Sequence, residues 1–225
     1  VAEYALGLLF AVNRKIHRAY VRTRDFNYNI NGLIGMDLEG KTIGIVGTGK
    51  IGQAMMSIIR GLDMNVLLYD PYPLQPIIDN APEAAEKWGK GLKYVDLDTL
   101  FKECDIISLH CPLTKDTQHM INKDSISKMK DGAIIINTSR GGLINTQDLL
   151  DALAENKFGG VGLDVYEEEE DYFFEDMSDE IISSDDLVRL TSYRSVILTS
   201  HQAFFTQEAM KAIAEAGGKV LFVGT

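Results

Sequence analysis

Residues 42–47 (TIGIVG) form a short, β-branched, almost wholly apolar run. They lead straight into Gly47-Thr48-Gly49-Lys50-Ile51-Gly52 and then the helical pattern QAMMSIIRGL. Such a run reads as a strand buried on both faces of a parallel sheet. The order strand, G-x-G-x-x-G, helix leaves few architectures open. Its glycines serve a tight turn, close backbone approach to a pyrophosphate, and close packing of helix on strand. The helix N-terminus adds free N–H groups and a partial positive charge for phosphates. A second strand, NVLLYD, ends in Asp70, 18 residues after Gly52. An acid at that distance can bind both ribose hydroxyls of an adenosine and repel a 2′-phosphate, which points to NAD as cofactor. The plainer reading of Asp70 is a turn residue before Pro71.

Strand and helix patterns alternate along the rest of the chain. Residues 3–24 read as one long amphipathic helix, apolar early and basic late. Strands are expected at 42–47, 65–69, 92–95, 105–109, 133–137, 159–164 and 196–199. Helices are expected at 50–61, 82–88, 97–103, 123–129, 146–155 and 206–217. This alternation predicts an α/β fold, a Rossmann-type doubly wound parallel sheet with helices on both faces. At 225 residues, 45% of them hydrophobic, the chain can fill one large α/β core. One segment breaks the rhythm. Residues 167–186 (EEEEDYFFEDMSDEIISSDD) are rich in acid and contain no basic residue, so a solvated loop or short helical excursion is expected. Their spacing does not fit an EF-hand calcium loop, and no metal is expected.

A formal net charge of −11 argues against nucleic acid or an anionic membrane surface as partner. No 18-residue apolar run is present. The two cysteines, Cys104 and Cys111, cannot make a disulfide framework and read as small buried thiols. A reducing compartment follows, the cytoplasm being expected and an organelle matrix the alternative.

Three islands carry the chemistry: Asn137-Thr138-Ser139-Arg140-Gly141-Gly142, Asp164-Val165-Tyr166-Glu167-Glu168-Glu169, and Ser200-His201-Gln202-Ala203-Phe204. Each follows a short strand-like run, and strand ends are where an open α/β sheet exposes its ligand crevice. An arginine, a carboxylate and a histidine at one such edge can clamp an anionic substrate, orient an imidazole and move a proton. Arg140 could instead pair with a nearby acid. Among the other histidines, His17 reads as solvated and His119 has no role.

With these motifs in hand, the chain resembles the D-isomer-specific 2-hydroxyacid dehydrogenases, and within them the NAD-dependent D-lactate dehydrogenase branch. The matching stretches run almost end to end: GLLFAVNRKIHRAYVRTRDFNY, GKTIGIVGTGKIGQAM, YDPYP, DIISLHCPLT, IIINTSRGGLIN, GLDVYE, YFFED and TSHQAFFT. The branch is suggested by the 32-residue separation of Glu169 and His201, which carries YFFED. The resemblance implies that residues 1–225 are the NAD-binding domain of a larger two-domain enzyme. Residues 1–25 would then be an interdomain and dimerisation helix, and 206–225 a helix returning to a substrate-binding domain outside this chain. It also implies a homodimer paired through this domain, for which the apolar face of helix 3–24 is suited.

The resemblance further implies roles. Arg140 binds the carboxylate of a 2-oxo acid and lies at the cofactor, His201 exchanges a proton with the ketone oxygen, and Glu169 holds His201 as imidazolium. Glu169 is selected by register, 29 residues past Arg140, with Glu167 and Glu168 as competitors. Gly47, Gly49, Lys50, Ile51, Gly52 and Asp70 bind the cofactor. Cys111, Pro112, Thr117, Thr138, Ser139 and Asp164 match positions lining its cleft, Asp164 near the nicotinamide ribose, and His110 has a supporting part. Phe204 faces the substrate side chain and favours a methyl group. The reaction implied is hydride transfer between NADH and a small 2-oxo acid, pyruvate to D-lactate. The alternatives are a reductase of hydroxypyruvate, glyoxylate or a bulkier acid, and an NAD-sensing interaction protein of corepressor type.

Overall fold

Seven of the apolar runs pair into one parallel sheet in the computed structural model, which describes residues 1–216. In chain order the strands are β1 (Thr42–Val46), β2 (Asn65–Tyr69), β3 (Lys93–Tyr94), β4 (Ile106–Leu109), β5 (Ala133–Asn137), β6 (Phe158–Leu163) and β7 (Val196–Leu198). Their spatial order is β3-β2-β1-β4-β5-β6-β7, and every neighbouring pair is parallel. The chain winds outward in both directions from β1 and β4, so a crevice opens at the carboxyl ends of those two strands.

Period-two alternation decides which side chain meets which layer. On one face, Ile43, Ile45, Leu68, Ile106, Ile134 and Ile136 pack under α1 (Ala2–Arg14), α3 (Lys50–Ile59) and α5 (Pro82–Trp88). On the other, Val46, Ile107, Leu109, Ile135 and Val161 pack under α6 (Leu97–Glu103), α7 (Lys123–Lys128), α8 (Thr146–Ala154) and α9 (Asp185–Ser192). The expected doubly wound architecture is the observed one.

The first helix differs from expectation. It stops at Arg14 and restarts as α2 (Ile16–Arg24), because Lys15 adopts a left-handed backbone with φ 53°. Side chains from both halves hold the returning segment 32–36. Asn13 exchanges two hydrogen bonds with the Met36 backbone, and Lys15 and Arg18 donate to the carbonyls of Ile34 and Gly32. The apolar face of α1 is also not free for another subunit. Ala5, Leu8, Leu9 and Val12 lie buried against this chain's own sheet. Exposed apolar residues occur instead on α2 and the arm after it, at Tyr20, Val21, Phe26, Tyr28, Ile30 and Ile34.

Two short helices have no counterpart in the sequence reading, α4 (Gln75–Ile78) and α9. The second closes the acid-rich segment, where the Ser184 hydroxyl caps α9 by accepting from Leu187 N–H. The final helix, α10 (Gln207–Glu215), is capped by Thr206. Residues 217–225 of the expected returning stretch lie outside the described residues.

Candidate active site

Every residue singled out from the sequence follows the carboxyl end of a strand or sits in the helical turn next to one, and so lies on one edge of the sheet. Gly47 leaves β1 with φ +94°, and a Cβ there would stand 2.7 Å from the backbone of His110 and Cys111. A Cβ on Gly52 would collide with the Gly47 carbonyl, so the helix starts this close to the strand only with glycine at both places. Gly49 meets nothing within 4 Å and caps α3 without a side-chain hydrogen bond. The first N–H groups of α3, at Lys50 and Ile51, therefore face an open cradle with the helix dipole behind them.

Asp70 follows β2 beside this loop. Its Oδ2 accepts from Thr48 N–H at 2.6 Å and Thr48 Oγ1 at 3.0 Å, and its Oδ1 accepts from Tyr72 N–H at 2.8 Å. The turn reading and the ligand reading are thus compatible, since Oδ1 keeps a lone pair beyond its one internal donor.

After β4, Ser108 Oγ lies 2.9 Å from His110 Nε2, while the buried Nδ1 has no partner among the described residues. Burial lowers the His110 pKa to about 4, so the ring is neutral at physiological pH. Cys111 is buried and its thiol is pushed up to about 11 by burial, which makes it an apolar wall, not a thiolate. Thr117 Oγ1 donates to the Pro112 carbonyl and accepts from Thr114 N–H, fixing the loop between them.

After β5, Ser139 Oγ donates to the Cys111 carbonyl at 2.6 Å and ties the two turns together. The buried Thr138 hydroxyl has no partner among the described residues. Two orphaned polar atoms, His110 Nδ1 and Thr138 Oγ1, together with the open glycine cradle, fit a polar dinucleotide as bound group. Arg140 is exposed; its guanidinium bonds only its neighbour's carbonyl, Ser139 O, and forms no ion pair among the described residues. Asn137, which the sequence reading passed over, shapes this turn: its side chain donates to Arg140 O and accepts from Ser139 N–H. A polar residue ending the run AIIIN was the available signal.

Three of the four glutamates after β6 have distinct partners. Glu169 Oε1 lies 2.7 Å from His201 Nδ1, and its Oε2 accepts from Tyr166 N–H. Glu168 reaches the Tyr166 hydroxyl. Glu167 pairs with His119 Nε2 at 2.5 Å and accepts from Thr146, so His119 is not an idle residue. Burial opposes ionisation of Glu167, but the bonds from His119 and Thr146 outweigh it and hold its carboxyl below the usual range.

Asp164, expected at the nicotinamide-ribose end of the cofactor, also has a structural task. Its side chain is fully buried and accepts from Thr199 Oγ1, Gln202 N–H and Ala203 N–H. Its carbonyl accepts from His201 N–H at 2.7 Å. The residue organises the loop that presents His201, which itself has φ 53°. A strained non-glycine backbone of this kind persists only where surrounding bonds fix it. The His201 ring has Phe204 edge-on at 6.3 Å and Phe174, from the YFFED stretch, at 6.2 Å. Phe174 was not assigned a role from sequence.

The chain matches the family model described as D-isomer specific 2-hydroxyacid dehydrogenase, NAD binding domain, over residues 6–203. The chain belongs to this family. Within it, a D-lactate dehydrogenase of Curvularia clavata is 52% identical over 96% of this chain and 59% of its own length. The solved pyruvate reductase of Chlamydomonas reinhardtii superposes with a TM-score of 0.86 at 41% identity, covering 95% of this chain and 62% of that one. A D-lactate dehydrogenase of Aquifex aeolicus, solved with NAD and lactic acid, gives 0.84 at 34% identity over 96% and 62%. This member of the dehydrogenase family spans about 60% of the length of the curated relatives it matches. Among its described residues, no helix is long and apolar enough to cross a membrane.

Proposed function

We propose that the full-length protein is an NAD-dependent D-lactate dehydrogenase that reduces pyruvate, with residues 1–225 as its NAD-binding domain. The observation that carries this reading is the Glu169–His201 pair, 2.7 Å apart on the edge that also holds Arg140. Because Glu169 engages Nδ1, the imidazole presents Nε2. That nitrogen donates a proton to the ketone oxygen in reduction and accepts the hydroxyl proton in oxidation. Arg140, without a carboxylate partner among the described residues, offers a planar fork to the substrate carboxylate. Phe204 beside His201 suits a substrate with a methyl side chain.

Bound NADH supplies the hydride. The Gly47–Gly52 loop and the α3 N-terminus would hold its pyrophosphate and Asp70 its adenosine ribose. The turns at His110–Thr117 and Thr138–Arg140 would line the remainder. A second domain closing over this edge would exclude water and align the reactants. Relatives named D-lactate dehydrogenase and pyruvate reductase support the choice of substrate. Pairing of two copies through α2 and the exposed arm at 26–34 fits the apolar residues there, and buried free thiols fit the cytoplasm.

The test is an NADH-oxidation assay of the full-length protein with pyruvate, hydroxypyruvate, glyoxylate and a branched 2-oxo acid, with chiral analysis of the product. Pyruvate should give the highest kcat/KM and D-lactate the product, while residues 1–225 alone should bind NADH without appreciable turnover. A higher kcat/KM for another acid, or L-lactate as product, defeats the reading.

A further inference from the structure

A hydroxyl relay stands behind Asp70, and it starts on the edge strand β3. Tyr94 pairs with Leu68 in the sheet and packs its ring against the buried cluster under α3 and α5. Its hydroxyl accepts from Leu74 N–H at 3.0 Å and donates to Thr48 Oγ1 at 2.9 Å. Thr48, buried at 2% exposure, passes its own hydroxyl proton to Asp70 Oδ2 at 3.0 Å.

The direction of the relay is fixed by chemistry. A carboxylate can only accept, so the single Thr48 proton points to Asp70; Thr48 can then only accept from Tyr94, whose oxygen accepts from Leu74 N–H. Bonds aligned in this way polarise one another and hold the terminal carboxylate in one orientation. Thr48 N–H on the same oxygen, and Tyr72 N–H on the other, complete the frame. The frame has a functional consequence. Discrimination between a ribose diol and a 2′-phosphate requires the carboxylate to be fixed, because a carboxylate free to swing neither keeps its hydroxyl bonds nor maintains repulsion.

We propose that Tyr94 is a specificity-positioning residue, fixing Asp70 through Thr48 so that the site accepts NADH and rejects NADPH. The inference rests on the reading of Asp70 as the ribose-binding acid.

The experiment measures dissociation constants for NADH and NADPH on the full-length protein by nicotinamide fluorescence, for the unmodified chain and for Tyr94→Phe, Thr48→Val, their double variant and Asp70→Ala. Tyr94→Phe should weaken NADH by about threefold to tenfold, the worth of one neutral hydrogen bond, and NADPH by less, so that the preference narrows. Thr48→Val should act in the same direction, and the double variant should narrow the preference no further than Thr48→Val, since both break one relay. If Tyr94→Phe does not fold, Thr48→Val carries the same test. Equal weakening of both cofactors, or an unchanged preference while Asp70→Ala narrows it, would reduce Tyr94 to a structural role and overturn the proposal. An unchanged preference in Asp70→Ala would show instead that the ribose reading had failed, and the proposal would fall with it.

Discussion

Glu169 and His201 meet at 2.7 Å although 32 positions apart in sequence, and the acid-rich segment between them folds back so that its Phe174 stands beside the same imidazole. The neighbours Glu167 and Glu168 are turned to His119 and Tyr166. Of these three, Glu169 is the one that meets the His201 imidazole.

Replacing His201 by Ala should lower turnover on the order of 10²–10⁴, the usual worth of a positioned general acid. Glu169→Gln keeps the shape but removes the carboxylate that lies 2.7 Å from His201 Nδ1. Turnover should then fall, whereas Glu168→Gln should leave it in place. Steady-state kinetics of the variants decide this. Turnover unmoved by Glu169→Gln would end the carboxylate–histidine assignment.

Arg140→Lys exchanges a bidentate fork for a point charge. The KM for pyruvate should rise by about tenfold or more while KM for NADH changes little, the loss of one charge-assisted bond being about 1.5–3 kcal/mol. Initial-rate kinetics with both substrates varied will show whether the effect falls on pyruvate.

Asp164→Ala would leave Thr199 Oγ1 and the N–H groups of Gln202 and Ala203 without their acceptor. A cost of about 1–3 kcal/mol is expected, the worth of one buried donor left unpaired, since Ala203 is the buried one of the three. Turnover should fall with it, since the His201 loop loses its frame. Denaturant unfolding and kcat, measured together, test the link. Full stability in the variant would contradict the positioning role.

His110 should make the fold sensitive to acid. Its pKa falls from 6.5 to about 4 on burial, so the unfolded chain binds a proton first as pH drops. The stability this neutral ring contributes is present above about pH 6.5 and is lost progressively down to about pH 4. Replacement by Gln should flatten the stability curve in that window. Urea midpoints from pH 7 to pH 4 for both proteins give the comparison, and parallel curves would exclude the effect.

What the sequence determined by itself was whatever depends on neighbours along the chain. The runs TIGIV and AIIIN are short, apolar and β-branched, so they become buried strands, and Gly47 and Gly52 permit a turn that other residues would block. Arg140, Asp164 and His201 each follow such a run, which already places them on one edge. The tertiary structure decided the rest. No local signal breaks residues 3–24 at Lys15. The break exists because Asn13, Lys15 and Arg18 bond a segment some twenty residues later. Periodicity is equally silent on which of three adjacent glutamates faces His201, since that depends on a loop closed over 32 residues. Nor does it tell that Asp164 holds the His201 loop, or that Tyr94 on an edge strand stands behind Asp70. Hydrogen bonds between distant segments fix these pairings, and their partners are chosen only once the sheet has brought its strand ends together.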